Sequence, residues 1–271
     1  MKIGKDFVDI SKYNIEMTKP MEDKLFFVDK LPPGQDYLFV DFGCADGTLI
    51  QHLVRIYEAK KYVYVGYDCS DVMINFAKTS FCADSSEHVE FTTDWNVVSQ
   101  YIERFKDMRY KTVLILSSVV HEIYSYETEQ GVQDFWNKVK EFDVVVIRDM
   151  MCSDTIERES NPDDIMRVRK SIIGTIPRYL SQFEERWGSI DENKNLVHFL
   201  LKYRYTINWD RECNENYFPI KISEFLQKMK SNFRLDYFEK FRVRFIENKV
   251  YEDFGIILRD TTHIKGIFIK C

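Results

Sequence analysis

Short runs of β-forming residues alternate with helical apolar spacing through the first 150 residues of this 271-residue chain. The runs are Leu38 to Phe42, Tyr62 to Tyr67, Val89 to Thr92, Thr112 to Leu116 and Asp143 to Ile147. The spacing between them predicts helices. Leu49, Ile50, Leu53, Val54 and Tyr57 share one face of Thr48 to Tyr57. Ser70 or Asp71 is placed to cap a helix reaching about Thr79, and Trp95 to Phe105 and Glu127 to Val139 follow the same pattern. Strands that are apolar throughout, rather than alternately, must be covered on both faces. With helices between them, that means a parallel sheet. Right-handed crossovers then make the sheet doubly wound.

After residue 150 the alternation stops. Ile165 to Ser171 and Ile176 to Trp187 have helical pattern, and aromatics crowd the stretch HFLLKYRYTINWDRECNENYF. A further helix is expected at Ile222 to Lys230, and strands at Leu235 to Ile246 and His263 to Lys270. The sequence therefore reads as a single α/β domain over 1–271 with a helical insertion at 150–218 after the fifth strand. With only 10 Gly and 6 Pro, no long flexible linker is expected.

The formal charge of -6 argues against a broadly basic surface for nucleic acid, while leaving room for a local basic patch. No apolar run is long enough to span a bilayer, so no membrane association is expected. The opening MKIGKDFVDISKYN has no apolar core of a signal peptide. The cysteines are Cys44, Cys69, Cys82, Cys152, Cys213 and Cys271. They form no C-x-x-C pair, and His198 and His263 have no ligand-spaced partners, so no metal is expected. Reduced thiols and a cytoplasmic location are the expectation.

The most specific local signal is LFVDFGCADGTL, from Leu38 to Leu49. Its glycines stand at a strand-to-helix turn, where positive φ and close approach to a ligand are needed. The spacing is D-x-G-x-x-x-G, with Asp41, Gly43 and Gly47, and not the G-x-G-x-x-G of dinucleotide enzymes. It resembles the first motif of class I S-adenosylmethionine-dependent methyltransferases. That resemblance implies a Rossmann-like, mostly parallel seven-stranded sheet ending in an antiparallel pair, with S-adenosylmethionine as cofactor. Ala45 departs from the glycine of many members, by one methyl group.

Two further segments carry the resemblance. VGYDCS ends the second run with Asp68, followed by Cys69 and Ser70. The resemblance implies that Asp68 accepts hydrogen bonds from the cofactor's ribose hydroxyls, a role suited to an acceptor-only carboxylate. VEFTTDW ends the third run with Asp94 and Trp95, which by the same resemblance meet the adenine amino group and cover the adenine face. Cys44 and Ser117 complete the expected cofactor set.

The fourth run leads into SSVVHEIY, Ser117 to Tyr124, where the resemblance places the residues facing the transferred methyl group. His121 is the candidate general base, since its ordinary pKa lies near neutrality. Glu122 is placed to orient it or to touch the acceptor, and Tyr124 to line the pocket. The bland alternative is that His121 merely begins a helix. Arg148 and Asp149 end the fifth run and are candidates for acceptor binding, or for an ion pair that fixes the loop. Cys152 lacks any activating neighbour in sequence, and the Pro-Cys and Asn/Asp-Pro-Pro-aromatic motifs of cytosine and amino-group DNA methylation are absent.

The 150–218 insertion interleaves Arg167, Arg169, Lys170, Arg178 and Arg186 with Asp163, Asp164, Glu184 and Glu185, and then adds Tyr203, Tyr205, Trp209, Tyr217 and Phe218. It is expected to be a cap on the acceptor side. It reads equally as a surface for RNA or a nucleotide, a lid over a small molecule, or a solvated helical face. The expected activity is methyl transfer to an N or O atom of a small molecule, nucleotide or RNA. The other readings are a non-catalytic cofactor-binding or partner-activating protein, and transfer of the aminocarboxypropyl group instead of methyl.

Overall fold

A computed structural model describes residues 21–58, 60–81 and 88–271. The amino-terminal stretch read for a signal peptide and Cys82 lie outside these residues. The chain divides into two compact units. The first comprises Met1–Asp149, Met229–Phe238 and Lys265–Cys271; the second comprises Met150–Lys228 and Glu239–Ile264. The second unit thus runs beyond the expected 150–218 insertion and takes in a later stretch of chain.

In the first unit a short helix α1 (Met21–Lys24) precedes strand β1 (Tyr37–Phe42). There follow α2 (Thr48–Ile56), β2 (Val63–Tyr67), α3 (Asp71–Ser80), β3 (Val89–Thr92), α4 (Trp95–Asp107) and β4 (Lys111–Ser117). Two helices, α5 (Val120–Tyr126) and α6 (Glu129–Val139), lead to β5 (Val144–Met150). The single helix expected over Glu127 to Val139 is therefore the second of a pair. Thr128 separates them, because its side chain accepts the Gly131 N–H at 3.1 Å and caps α6.

The second unit contributes α7 (Pro162–Arg169), α8 (Ile176–Trp187), α9 (Asn193–Lys202) and α10 (Trp209–Asn214). The rest of the chain forms α11 (Ile222–Lys230), β6 (Phe233–Phe241), α12 (Arg244–Phe254) and β7 (His263–Lys270). Instead of running to Ile246, the strand expected from Leu235 stops at Phe241, and α12 begins at Arg244.

The strands form one seven-stranded sheet in the order β3-β2-β1-β4-β5-β7-β6. The pairs β1–β2, β1–β4, β2–β3 and β4–β5 are parallel. β7 runs against them, since the Lys270 N–H at its end donates to the Asp143 carbonyl just before β5 starts, at 2.8 Å. It is antiparallel to β6 as well, because Cys271 N–H bonds to the Asn232 carbonyl at 3.1 Å while Thr262 N–H bonds to that of Phe241 at 3.3 Å. The sheet is doubly wound, mostly parallel, and closed by an antiparallel pair.

Strand β1 is buried at every residue, as a central parallel strand must be. On one face Phe39 stacks on Tyr57 and Tyr64, with ring centroids 5.8 and 5.6 Å apart. Leu49, Ile50 and Leu53 of α2 join the same cluster. The second unit has its own core, in which Phe183, Leu196, Phe199 and Trp209 meet Val250 and Phe254 of α12. Lys202 is fully buried there. It donates to the carbonyls of Glu212 and Glu215 at 2.6 Å each and lies 4.2 Å from the Tyr217 ring centroid. Burial lowers this ammonium to about 8, against the opposing pull of Glu212 and Glu215.

Candidate functional site

Parallel register aligns the carboxyl ends of the central strands. Phe42 lies beside Tyr67 and Leu116, Tyr67 beside Thr92, and Ser117 beside Arg148. The residues that follow each strand therefore share one edge of the sheet, where this fold class binds its ligands. Asp41, Gly43, Asp68, Asp94, Ser117 and Arg148, picked out separately in the sequence, come from these ends.

The β1–α2 turn needs left-handed backbone at three places. Gly43 has φ +78°, Ala45 +47° and Gly47 +75°. A Cβ on Gly43 would stand 2.8 Å from Val119 Cγ2, and one on Gly47 2.7 Å from the Phe91 ring. Both glycines are thus required twice over, by φ and by space. Ala45 tolerates its strained φ because Asp68 holds it, with the Ala45 N–H donating to Asp68 Oδ2 at 3.0 Å. Asp68 Oδ1 accepts the Ser70 N–H at 2.9 Å, and Ser70 Oγ caps α3 through Met73 N–H at 3.3 Å. Asp68 therefore ties two neighbouring strand-end turns together. Ser70 serves as a helix cap.

The turn is strongly acidic. Asp41 is almost wholly buried, and burial raises its carboxyl to about 7, with Lys24 opposing and Asp68 and Asp46 adding to the rise. Lys24 is the cation of this cluster. Burial lowers it to about 8, helped by Arg148, while Asp41, Asp46 and Glu122 oppose. Sequence reading missed Lys24. It lies on a four-residue helix with no motif, and only the structure shows a buried lysine among carboxylates. Cys44 and Cys69 are not thiolates. Burial pushes Cys44 far up, and burial followed by Asp68 pushes Cys69 to about 12. Cys152 is fully buried and is raised to about 11, mainly by burial, which removes any basis for a nucleophilic role.

Asp94 is exposed and caps α4, accepting the Asn96 N–H at 2.9 Å. Trp95 is half-buried against Phe42 and Tyr67, at centroid distances of 5.5 and 5.1 Å, with the Lys138 ammonium 4.9 Å from its own centroid. Ser117 Oγ is buried and finds no hydrogen-bond partner among the described residues.

The corner after β4 is built on the end of β5. Ser118 turns it at φ +57°, its N–H donating to the Arg148 carbonyl at 2.8 Å. The Arg148 guanidinium donates to Ser118 Oγ at 3.0 Å. Asp149 is fully buried, and its Oδ2 accepts the N–H groups of Val119 and Val120 at 2.9 and 2.6 Å. Its Oδ1 lies 2.7 Å from Nδ1 of His121, a residue only 3% exposed. Of the two readings of this strand end, acceptor binding or fixing the loop, these contacts give Asp149 the loop-fixing part, and the same carboxylate meets His121 Nδ1. Tyr124 uses its hydroxyl to accept the Trp136 indole N–H at 3.1 Å.

No family model matches the chain, and no curated protein does. Solved structures do resemble it. One is the plantazolicin methyltransferase BamL in complex with a triazolic desmethylPZN analog and SAH, 14% identical over 96% of this chain and 88% of that one, with a TM-score of 0.47. A second is geranyl diphosphate C-methyltransferase from Streptomyces coelicolor A3(2), 12% identical over 96% and 80%, TM-score 0.47. A third is a putative methyltransferase from Bacillus halodurans C-125, 11% identical over 92% and 96%, TM-score 0.43. With five parallel strands, a closing antiparallel pair and the glycine turn after β1, the chain has the Rossmann-like class I methyltransferase fold.

Proposed function

We propose that this protein is an S-adenosylmethionine-dependent methyltransferase acting on an N or O atom of a small molecule, nucleotide or RNA. The observation that carries the reading is the Asp68 bridge, which locks a thrice left-handed β1–α2 turn to the end of β2. The donor set suits this cofactor. Asp68 and Asp46 both disfavour a charge on Asp41, and a ligand bearing a sulfonium and an ammonium would relieve that repulsion. Asp68 supplies acceptor oxygens for ribose hydroxyls. A buried hydroxyl without a partner costs about 1–3 kcal/mol, so Ser117 Oγ offers a contact that a bound ligand would complete.

When bound, the cofactor supplies an electrophilic methyl group. The protein's task is to hold the acceptor in line with it, at a separation of roughly 3–3.5 Å. Gly43, Cys44, Ala45 and Gly47 shape the cofactor's seat, and Asp94 and Trp95 flank it on the side of β3. His121 and Glu122 are the residues proposed to meet the acceptor, and the second unit, which the chain enters directly after β5, is proposed to select it. The test is incubation with methyl-labelled S-adenosylmethionine and separate metabolite and RNA fractions. Label in a product of either fraction supports the reading. Cofactor turnover with loss of the aminocarboxypropyl group, or no turnover with any fraction, contradicts it.

A further inference from the structure

The second unit holds a slot to which the proposed reaction assigns no role. Its volume is about 390 Å³, large enough to enclose several side chains. Two runs of consecutive residues wall it, 158–161 and 256–260, and Leu196, Val197 and Leu200 of α9 line it with apolar side chains. All of these residues belong to the second unit. The run from Ile256 to Asp260 has the pattern of a strand without a partner. Ile256, Leu258 and Asp260 are buried, while Ile257 and Arg259 between them are exposed. A period of two marks extended backbone. Yet none of its N–H groups finds an acceptor among the described residues. Of its carbonyls only that of Arg259 is engaged, by the Arg242 guanidinium at 3.2 Å.

The other wall is half paired. The Arg158 carbonyl accepts the Asn193 N–H at 2.8 Å, and the Ser160 N–H donates to the Asp191 carbonyl at 2.7 Å. Glu159, between them, directs its own N–H and carbonyl to the opposite edge, where neither has a bond among the described residues. The Arg158 guanidinium joins the two walls by two parallel bonds to the Asp260 carboxylate, each 2.8 Å. Asn193 Nδ2 donates to the same carboxylate at 3.1 Å. The walls are thus fixed to each other before anything binds, which lowers the cost of binding.

Backbone donors and acceptors spaced along an extended chain are matched by a second extended chain. The side chains of such a chain point alternately into the slot and away from it. Those pointing in meet Leu196, Val197 and Leu200 and are apolar. Arg158 and Asp260 neutralise one another. Glu159 and Asp164 also line the slot, with no ion-pair partner among the described residues, against one such cation, Arg259. The excess of carboxylates favours basic residues at the outward positions. We propose that this slot binds an extended peptide segment of another protein, with alternating apolar and basic residues, by adding it to the Ile256–Asp260 edge. The proposal does not depend on the methyltransferase reading.

The test uses the full chain and a fluorescently labelled, acetylated and amidated peptide alternating valine and lysine. Beside it runs the same peptide N-methylated at alternate amides, which keeps side chains and charge but loses backbone donors. Fluorescence anisotropy is expected to show saturable binding of the first and binding weaker by about tenfold or more for the second. Glu159→Lys, a change at an exposed position, is expected to weaken the first by about threefold or more at low salt. Hydrogen exchange reads the edge itself. The amides of Ile256 to Asp260 are expected to exchange fast in the free chain and to slow when the first peptide saturates it. Absence of binding, equal binding of the two peptides, or undiminished binding by Glu159→Lys overturns the proposal. So does exchange at 256–260 that is already slow in the free chain or that the bound peptide leaves unchanged.

Discussion

Asp41 holds a proton that the unfolded chain would give up. Its native value of about 7 stands well above the ordinary aspartate value of 3.8, because the group is buried. Its favourable contribution is therefore complete below pH 4 and is lost as pH rises through 7. Asp41→Asn, which cannot ionise, should match wild type near pH 4. At pH 8 it should be the more stable by roughly 4 kcal/mol in urea denaturation of the ligand-free protein, at about 1.4 kcal/mol for each unit of the rise. Equal stability at pH 8 would show that Asp41 is not desolvated. Gly47→Ala should lower the melting temperature by an amount corresponding to about 1–3 kcal/mol, since it adds a Cβ 2.7 Å from the Phe91 ring at φ +75°. A change under about 0.5 kcal/mol by differential scanning calorimetry would contradict the strain argument.

The same scale shows what sequence can and cannot convey. Asp41, Gly43, Gly47 and Asp68 were legible because turn chemistry demands those residue types at fixed spacing. Lys24 and the Asp149–His121 contact were not. A lysine without a motif looks like any surface lysine, and residues 28 positions apart meet only once β4 and β5 are paired.

Among the elements, α4 separates two roles for one residue. Asp94 caps the helix, and asparagine caps as well as aspartate. Asp94→Asn should therefore keep wild-type stability, whereas Asp94→Ala should lose about 1 kcal/mol in thermal unfolding. If Asp94 also accepts from the adenine amino group, calorimetry should show cofactor affinity falling in the alanine variant by more than its stability loss explains. Undiminished affinity in folded Asp94→Ala would leave it a cap alone.

Elements were readable where one face is apolar, and misread where that signal fails. Helix α9 was missed because it is buried along nearly its whole length, from Leu196 to Lys202, so no polar face marks its period. Helix α12 was partly read as strand because Phe241, Val243 and Phe245 alternate with Arg242 and Arg244 across the border between β6 and the helix. Its helical stripe, Val250 and Phe254, begins only later.

At the scale of the whole molecule, the chain divides into two compact units, and the proposal assigns cofactor binding to the first and acceptor choice to the second. No helix among the described residues is long and apolar enough to cross a membrane. Both units have their own buried clusters, and every residue assigned to the cofactor belongs to the first. Hydrogen exchange with saturating S-adenosylhomocysteine should therefore slow the amides of residues 43–47 and 68–70 while leaving α8 at its ligand-free rate. Slowing confined to α8 would place the ligand elsewhere.

The β1–α2 turn and Asp68 together are proposed to form the cofactor's seat. Isothermal titration calorimetry of wild type and Asp68→Ala with S-adenosylmethionine and S-adenosylhomocysteine tests it most directly. One saturable site is expected in wild type, and at least tenfold weaker binding in a folded Asp68→Ala. No binding by wild type, or undiminished binding by the variant, would contradict it.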